Sequence, residues 1–238
     1  MTALSPTIYL GGDLMDFKIE DKPMASVLKV KLSRGEAINA QPSAMMLMMG
    51  SIKVETSVQG GLLKGLMRKA LGGETLFVNK YIAESDAIVW FVPNFPGDIE
   101  YIPLNGEFYL MDGAYLAHHG EVDISVAWRG AKGFLAGGGG LVWLKVSGGG
   151  GVWINGFGGL KTLELKPGQK ITVDNYHIAG IESTVKWNVR TFGKGIKNFL
   201  FGGEFLVMEL TGPGKVYLQS RNIPGFASMI AGLIPHGD

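Results

Sequence analysis

The chain has no cysteine and few charged residues, and both shortages restrict its chemistry. None of its 238 residues is a cysteine, so disulfides and thiolate metal ligands are excluded. Charged residues make up 18% of the chain, less than the usual quarter. No apolar run approaches the roughly 18 residues that a membrane-spanning helix needs. A chain with too few charges to coat a monomer, and with no such run, is expected to bury apolar surface between subunits.

The charge balance of the whole chain is close to neutral. The formal net charge is +1, so no global field recruits nucleic acid or an acidic substrate. The N-terminal sequence has no basic segment followed by an apolar one, and it carries Asp13, Asp16, Glu20 and Asp21. These acidic residues disfavour a transit peptide, and the expected location is cytoplasmic.

Motifs for metal, nucleotide or acyl chemistry are missing as well. The sequence contains no H-E-x-x-H, no P-loop, no G-x-G-x-x-G fingerprint and no G-x-S-x-G nucleophile elbow. His118 and His119 are adjacent, and neighbours in a strand point to opposite faces, so they are not expected to hold one metal together. We therefore expect no cofactor, no metal site and no catalytic site.

Glycine, by contrast, is abundant and marks an internal repeat. There are 37 glycines, about twice the average share. A strand followed by a turn recurs as KVKLSRGE (29–36), EYIPLNGE (100–107) and KTLELKPGQ (161–169). Further along each copy, apolar residues stand at every second position, which is typical of a half-buried strand. We expect the turn glycines Gly35, Gly106 and Gly168 to occupy superimposable turns.

Two runs of four glycines lie in the segment KGFLAGGGGLVWLKVSGGGG, residues 132–151. Both stand where the other copies have shorter glycine turns, so we interpret them as hairpin corners rather than as a phosphate-binding loop. Each repeat then closes with an aromatic strand, in which Trp90, Trp153 and Tyr217 are equivalent.

These patterns predict an all-β protein with three tandem β-sandwich-like repeats in a pseudo-threefold arrangement and short peripheral helices. The expected segments are repeat 1 with an N-terminal leader (1–96), repeat 2 (97–159), repeat 3 (160–222) and a C-terminal amphipathic tail (223–238). Helical spacing of apolar residues predicts one helix within 60–73 and one in the tail. The apolar stripe of the tail comprises Phe226, Met229, Ile230, Leu233 and Ile234. Because the tail has few basic residues, docking on its own protein is favoured over anchoring at a membrane surface.

One polar feature recurs in every repeat, a basic arm that precedes the double glycine. Its residues are Lys64, Arg68 and Lys69 in repeat 1, Arg129 and Lys132 in repeat 2, and Arg190, Lys194 and Lys197 in repeat 3. Around a rotation axis these side chains would form a ring that can follow a phosphate backbone. The alternative is that they only solvate the hairpins. They are the candidate nucleic-acid-binding residues.

A pair of acidic residues also recurs, at Asp112 and Asp174. Two carboxylates at one repeat position can form a general acid and base couple. Gly113 and Asn175 follow them, however, and this context favours Asx-type turns, in which the carboxylate accepts a backbone hydrogen bond. We expect turns.

Three segments resemble a known family: GPGKVYLQSRN (212–222), GDIEYIPLNGE (97–107) and KGLMRKALGGETLFVNKY (64–81). The chain resembles, from about residue 15 to 222, the altered-inheritance-of-mitochondria family of prokaryotic and mitochondrial proteins, a family of unknown function. The resemblance implies a fold similar to the tryptophan RNA-binding attenuation protein. It implies three β-sandwich-like units per chain and homotrimers that form a pseudo-nine-membered ring. It supplies no catalytic residue, and residues 148–151 depart from its closing G-P-G-K motif by being four glycines.

The expected function is that of a non-enzymatic, ring-forming scaffold or binding protein, assembled as a homotrimer. Terminal repeats of a three-repeat chain have uncovered lateral faces and strand edges, which head-to-tail closure around an axis would cover. Two alternatives stay open. The first is nucleic-acid binding, to RNA, through the basic arms, and the second is an enzyme with a site at a seam between repeats or subunits.

Overall fold

The computed structural model describes residues 15–58, 77–111, 113–128, 142–191 and 206–234. Antiparallel β-strands dominate these segments, as the alternating pattern predicts. The strands are β1 (Asp16–Glu20), β2 (Val27–Leu32), β3 (Ala37–Ala40), β4 (Met45–Met49), β5 (Ile52–Val58), β6 (Phe77–Ala83), β7 (Ala87–Phe91), β8 (Gly97–Met111), β9 (Tyr115–Trp128), β10 (Val142–Phe157), β11 (Leu160–Leu165), β12 (Lys170–Asp174), β13 (Ile178–Glu182), β14 (Lys186–Thr191), β15 (Leu206–Thr211) and β16 (Gly214–Gln219). A 3-10 helix covers Asn175–His177, and an α-helix, α1, covers Ile223–Leu233.

The strands form three sheets. Their orders are β1-β2-β7-β4, β11-β16-β13-β8-β10-β9-β3-β6-β5 and β12-β15-β14. For reference we divide them into a first unit (β2–β7), a middle unit (β8–β10) and a last unit (β11–β16). The middle unit consists of three strands of 15, 14 and 16 residues that pair along their whole length.

The first and last units each contain four short ladders, arranged as two groups of three strands. In the first unit β2 pairs with β7 and β7 with β4, while β3 pairs with β6 and β6 with β5. In the last unit β11 pairs with β16 and β16 with β13, while β12 pairs with β15 and β15 with β14.

The middle unit joins its neighbours through two further ladders. Strand β3 of the first unit pairs with β9, where Asn39 lies opposite His118 and Ala40 opposite Ala117. Strand β13 of the last unit pairs with β8, where Gly180 lies opposite Leu110. We call these two ladders the inner seams. They make the nine-stranded sheet continuous from the first unit to the last.

Apolar residues at every second position of the strands face inward and form the core. In β2 the apolar residues Leu28, Val30 and Leu32 are buried while the residues between them are more exposed, as expected for a strand with one covered face. Three apolar clusters result. They lie around Val30 and Trp153, around Leu110 and Val152, and around Trp143 and Met208.

The glycine-rich segment 148–151 lies inside β10 and not at a hairpin corner, so that interpretation is wrong. Gly148 lies opposite Gly106 of β8, and both have positive φ, +124° and +118°. The physical reason is that β8, β9 and β10 continue through the place where the other units turn. Glycine then lets the strands bend and approach closely within a ladder. The other glycine run, 137–140, lies outside the described residues.

The prediction of three like turns is correspondingly wrong at Gly106. Gly35 and Gly168 lie in turns, between β2 and β3 and between β11 and β12, with φ of +91° and +76°. Gly106 shares their positive φ but interrupts a strand that continues on both sides. A glycine with positive φ thus forms part of a turn in the first and last units and of a strand kink in the middle unit.

The C-terminal helix is confirmed. Asn222 caps α1 by accepting a hydrogen bond from the Gly225 amide at 2.6 Å, the usual role of asparagine at a helix start. Its predicted docking is partial. The Phe226 ring packs edge-on against Phe157 with centroids 5.2 Å apart, whereas Leu233 is 74% exposed. The helix predicted within 60–73 lies outside the described residues.

Candidate functional site

Seven of the eight basic-arm residues lie outside the described residues: Lys64, Arg68, Lys69, Arg129, Lys132, Lys194 and Lys197. The eighth, Arg190, lies on β14. Its guanidinium forms an ion pair with Glu209 Oε1 on the neighbouring strand β15 at 2.9 Å. Both side chains are nearly half exposed, so this pair contributes at most about 1 kcal/mol to stability. The ring of basic arms therefore stays a prediction.

Asp174 is a turn residue. Its carboxylate accepts a hydrogen bond from the Tyr176 amide at 3.0 Å and caps the 3-10 helix. This confirms the Asx-type turn at this position. Its predicted counterpart Asp112 lies outside the described residues.

Two buried histidines lie beside the first inner seam, on β9. His118 Nδ1 is 2.8 Å from Tyr115 Oη, and His119 Nε2 is 3.0 Å from Tyr101 Oη. The two rings thus have separate tyrosine partners. Their exposed fractions are 2% and 6%.

Burial sets the charge state of this pair. It lowers the pKa of His118 from 6.5 to about 4, with a smaller contribution from the neighbouring His119. Burial also lowers the pKa of His119, opposed in part by Glu36. Burial raises the pKa of Tyr115 well above its ordinary value. Both imidazoles are therefore neutral at pH 7, and each can share one hydrogen bond with a neutral tyrosine.

His119 belongs to an aromatic cluster that ties four strands together. Its ring stacks on Tyr101 and lies 5.3 Å from Trp153, and Phe17 of β1 packs edge-on against Trp153. Such a cluster stabilises packing and leaves the imidazole enclosed by rings. In the described parts of the chain, no three His, Asp or Glu side chains lie close enough together to hold a metal ion.

An open surface depression of about 410 Å³ lies beside the β1–β2 connection and the segment after β7. It is lined mainly by apolar residues, among them Met24, Pro93 and Phe95. Ser26, also in its wall, donates its hydroxyl to the buried Asp98 at 3.1 Å. A depression without converging polar groups lacks the arrangement expected of a catalytic site.

The feature that sequence reasoning missed is an uncovered strand, β4. It is the outermost strand of its sheet as the described residues define it. Its residues Met45, Met46, Met48 and Met49 are 39%, 57%, 38% and 47% exposed. We call β4 the methionine edge. Natural proteins often protect such an edge with charge or proline, and β4 has neither. Five consecutive apolar residues in a charge-poor chain were the signal available in the sequence.

A second uncovered strand lies at the other end of the molecule. Strand β12 is the outermost strand of the three-stranded sheet in the described structure. Its sequence alternates polar Lys170 and Thr172 with apolar Ile171 and Val173, and the apolar pair packs on the cluster around Met208. In the described structure, β4 of the first unit and β12 of the last unit thus each have one edge without a neighbouring strand. Within the described ranges, no helix is both long and apolar enough to cross a membrane.

Comparison with known proteins places the chain in a family. An uncharacterized protein of Streptococcus pyogenes serotype M6 is 26% identical over 229 residues, which covers 93% of this chain and 92% of that protein. A crystal structure of a Streptococcus pyogenes protein is similar with a TM-score of 0.75 and 25% identity, covering 92% of this chain and 100% of that one. Residues 17–221 match the family described as mitochondrial biogenesis AIM24. Because that match spans most of the 238 residues, the chain belongs to the AIM24 family.

Proposed function

We propose that the protein is a non-enzymatic scaffold or binding protein built from three tandem β units per chain and closed into a homotrimeric ring. The observation that carries the proposal is the order of strand pairing within the units. If six strand segments are counted in each unit, the first pairs with the sixth and the sixth with the third. The second pairs with the fifth and the fifth with the fourth.

The first and last units follow this order with separate strands. The middle unit follows it with halves of its long strands. Residues 97–103 of β8 pair with 151–157 of β10, which pair with the beginning of β9. Residues 107–111 of β8 pair with 143–147 of β10, which pair with the end of β9. One pairing scheme thus accounts for all three units, which is the behaviour of a structural repeat.

A shared irregularity supports the same equivalence. In all three units the pairing register shifts in the third segment. The shift comes directly before the residue that faces Trp90, Trp153 or Tyr217 of the sixth segment. Because a bulge is a specific local device rather than random variation, its recurrence beside the equivalent aromatic residue favours duplication of one unit.

The two inner seams support ring formation. Each joins the second strand of one unit to the third strand of the next. A chain that repeats one such contact twice has a free second strand at its end and a free third strand at its beginning. Copies joined through these strands form a closed ring when the rotation between units closes. Three copies are what the resemblance to the tryptophan RNA-binding attenuation protein implies.

A scaffold suits the chemistry of the described residues better than an enzyme. The buried histidines are bonded to tyrosines, and Asp174 is occupied as a cap. Nucleic-acid binding through the basic arms is the alternative, although Arg190 already forms an ion pair with Glu209. Retention on heparin that falls steeply with salt would favour it, and elution at low salt would count against it.

The test of the proposal is the mass in solution. Light scattering at micromolar concentration is expected to give about three times the chain mass of 25.5 kDa, independent of dilution. A mass near that of one chain would refute ring formation. A mass that grows with concentration would indicate open filaments instead.

A further inference from the structure

The inner seams follow a single register when residues are counted from the turn glycine of their unit. Gly35, Gly106 and Gly168 each define position 0. In the first seam Asn39, at position 4, faces His118, at position 12. In the second seam Leu110, at position 4, faces Gly180, at position 12. Counted from the turn glycines, position 4 of one unit therefore faces position 12 of the next in both seams. The residues that face the equivalent aromatic side chains are Leu47 and Gly180, both at position 12, and Ala117, at position 11.

Among the described residues, the same two positions have no neighbouring strand in the first and last units. Position 4 of the last unit is Thr172, on β12, and position 12 of the first unit is Leu47, on the methionine edge. Both strands are the outermost of their sheets among the described residues. The strands that are covered in the inner seams are thus uncovered here.

Side-chain exposure follows the same division. At position 11, Met46 is 57% exposed, whereas Ala117 and Ala179 are 0% and 1% exposed. At position 13, Met48 is 38% exposed, whereas Ile181 is fully buried. At these two positions the residue is therefore buried where a neighbouring unit is present and exposed in β4.

We infer that β12 of one copy pairs antiparallel with β4 of the next copy, with Thr172 opposite Leu47 and Ile171 opposite Met48. This inference deepens the proposed ring and rests on it. It joins the sheet β1-β2-β7-β4 of one copy to the sheet β12-β15-β14 of another, as the inner seams join the corresponding halves within a chain. The partner is a second copy because this chain carries both matching strands, in the register that the two inner seams share when it is counted from the turn glycines.

The chemistry of the two strands suits such a contact. The methionine edge has no charge along its five residues, and β12 presents Ile171 and Val173 on its apolar face. Methionine side chains are flexible and adapt to a neighbouring surface. Main-chain pairing gives the register, and burial of the methionines gives the free-energy gain.

Disulfide trapping tests the register directly, since the chain has no cysteine of its own. Directly opposed residues in an antiparallel ladder have Cβ atoms about 4.5–5.5 Å apart, close to the separation that a disulfide needs. The double variant Leu47→Cys, Thr172→Cys is therefore expected to give covalent multimers up to the ring mass after mild oxidation. The matched control is Leu47→Cys, Val173→Cys, which is shifted by one residue and turns the second thiol to the other face of the strand.

Each result has one meaning. Cross-linking of the first variant, with little in the control, supports the seam. Cross-linking of the control, or dimers from Leu47→Cys alone, overturns the register. A wild-type ring whose first variant stays uncross-linked overturns the seam and leaves the proposed ring intact. A wild-type monomer overturns the ring itself.

A charge variant gives an independent measurement. Met46→Lys combined with Met48→Lys is expected to shift the protein from ring to monomer at equal concentration, with its β-sheet circular dichroism kept. Met24→Lys is the control, because Met24 is 49% exposed but belongs to the β1–β2 connection and not to β4. A double variant that keeps the ring mass would contradict the seam, and so would a Met24→Lys variant that dissociates equally.

Discussion

The glycine run 148–151 allows a sharp prediction, because neighbouring members face different surroundings. Gly150 has a φ of +136°, and a Cβ added there would collide with the His119 carbonyl oxygen on β9. Gly149 has no atom within 4 Å of the same point and no positive φ. We therefore predict that Gly150→Ala strongly destabilises the protein and that Gly149→Ala does not.

The magnitude follows from two costs. A non-glycine residue in this region of φ costs about 1–3 kcal/mol, and relieving a backbone collision adds about 1–3 kcal/mol. Gly150→Ala should thus lower the free energy of unfolding by about 2–6 kcal/mol. Gly149→Ala should change it by less than about 1 kcal/mol, with stabilisation the expected sign because the unfolded chain loses freedom.

Urea unfolding at one fixed protein concentration measures both variants, and thermal unfolding supports it. For a chain of this size, 1 kcal/mol corresponds to about 2–4 °C in melting temperature, so Gly150→Ala should melt at least several degrees below Gly149→Ala. Equal stability of the two variants would refute the placement of 148–151 inside a bent strand. It would return this segment to an exposed hairpin.

Three further outcomes are expected. Since the pKa of His118 falls from 6.5 to about 4 on folding, the unfolded state binds more protons between these values, and stability is lost as the pH falls through them. The full loss of stability is about 3 kcal/mol. His118→Gln should therefore flatten the slope of the urea midpoint against pH, and an unchanged slope would contradict the buried neutral imidazole. Arg190→Ala should cost less than about 1 kcal/mol in urea unfolding, because its partner Glu209 is also exposed; a larger loss would mean that this pair is structural. Trp153→Ala should cost about 3–5 kcal/mol, because the side chain is fully buried among aromatic rings; a melting temperature close to wild type would contradict that packing.

Much of the strand content was predictable, and the way the strands are joined was not. The alternation around Val30 and the aromatic pattern around Trp153 report local burial, which sequence periodicity records. Gly106 resembles a turn glycine because a turn and a kink require the same positive φ. Whether the flanking strands continue depends on pairing with Gly148 more than 40 residues later in the chain, which local sequence does not contain.

The candidate site was harder to predict for a related reason. Five consecutive apolar residues such as those of β4 also occur in buried core strands, so the pattern alone does not distinguish the two. The exposure of β4 becomes evident once the order of strands in the sheet is known. Alternation along a strand predicts that His118 and His119 point to opposite faces, and they contact different tyrosines. Their tyrosine partners were not predictable. Tyr101 lies on another strand, and the Tyr115 contact spans a register shift in β9.

The most direct test of the ring is its shape viewed along the axis. Electron microscopy of the purified wild-type protein should give class averages with threefold symmetry and nine similar lobes, three from each chain. Such averages would match three equivalent units per chain joined by equivalent seams. Particles without threefold symmetry, or single chains with no ring, would contradict the account.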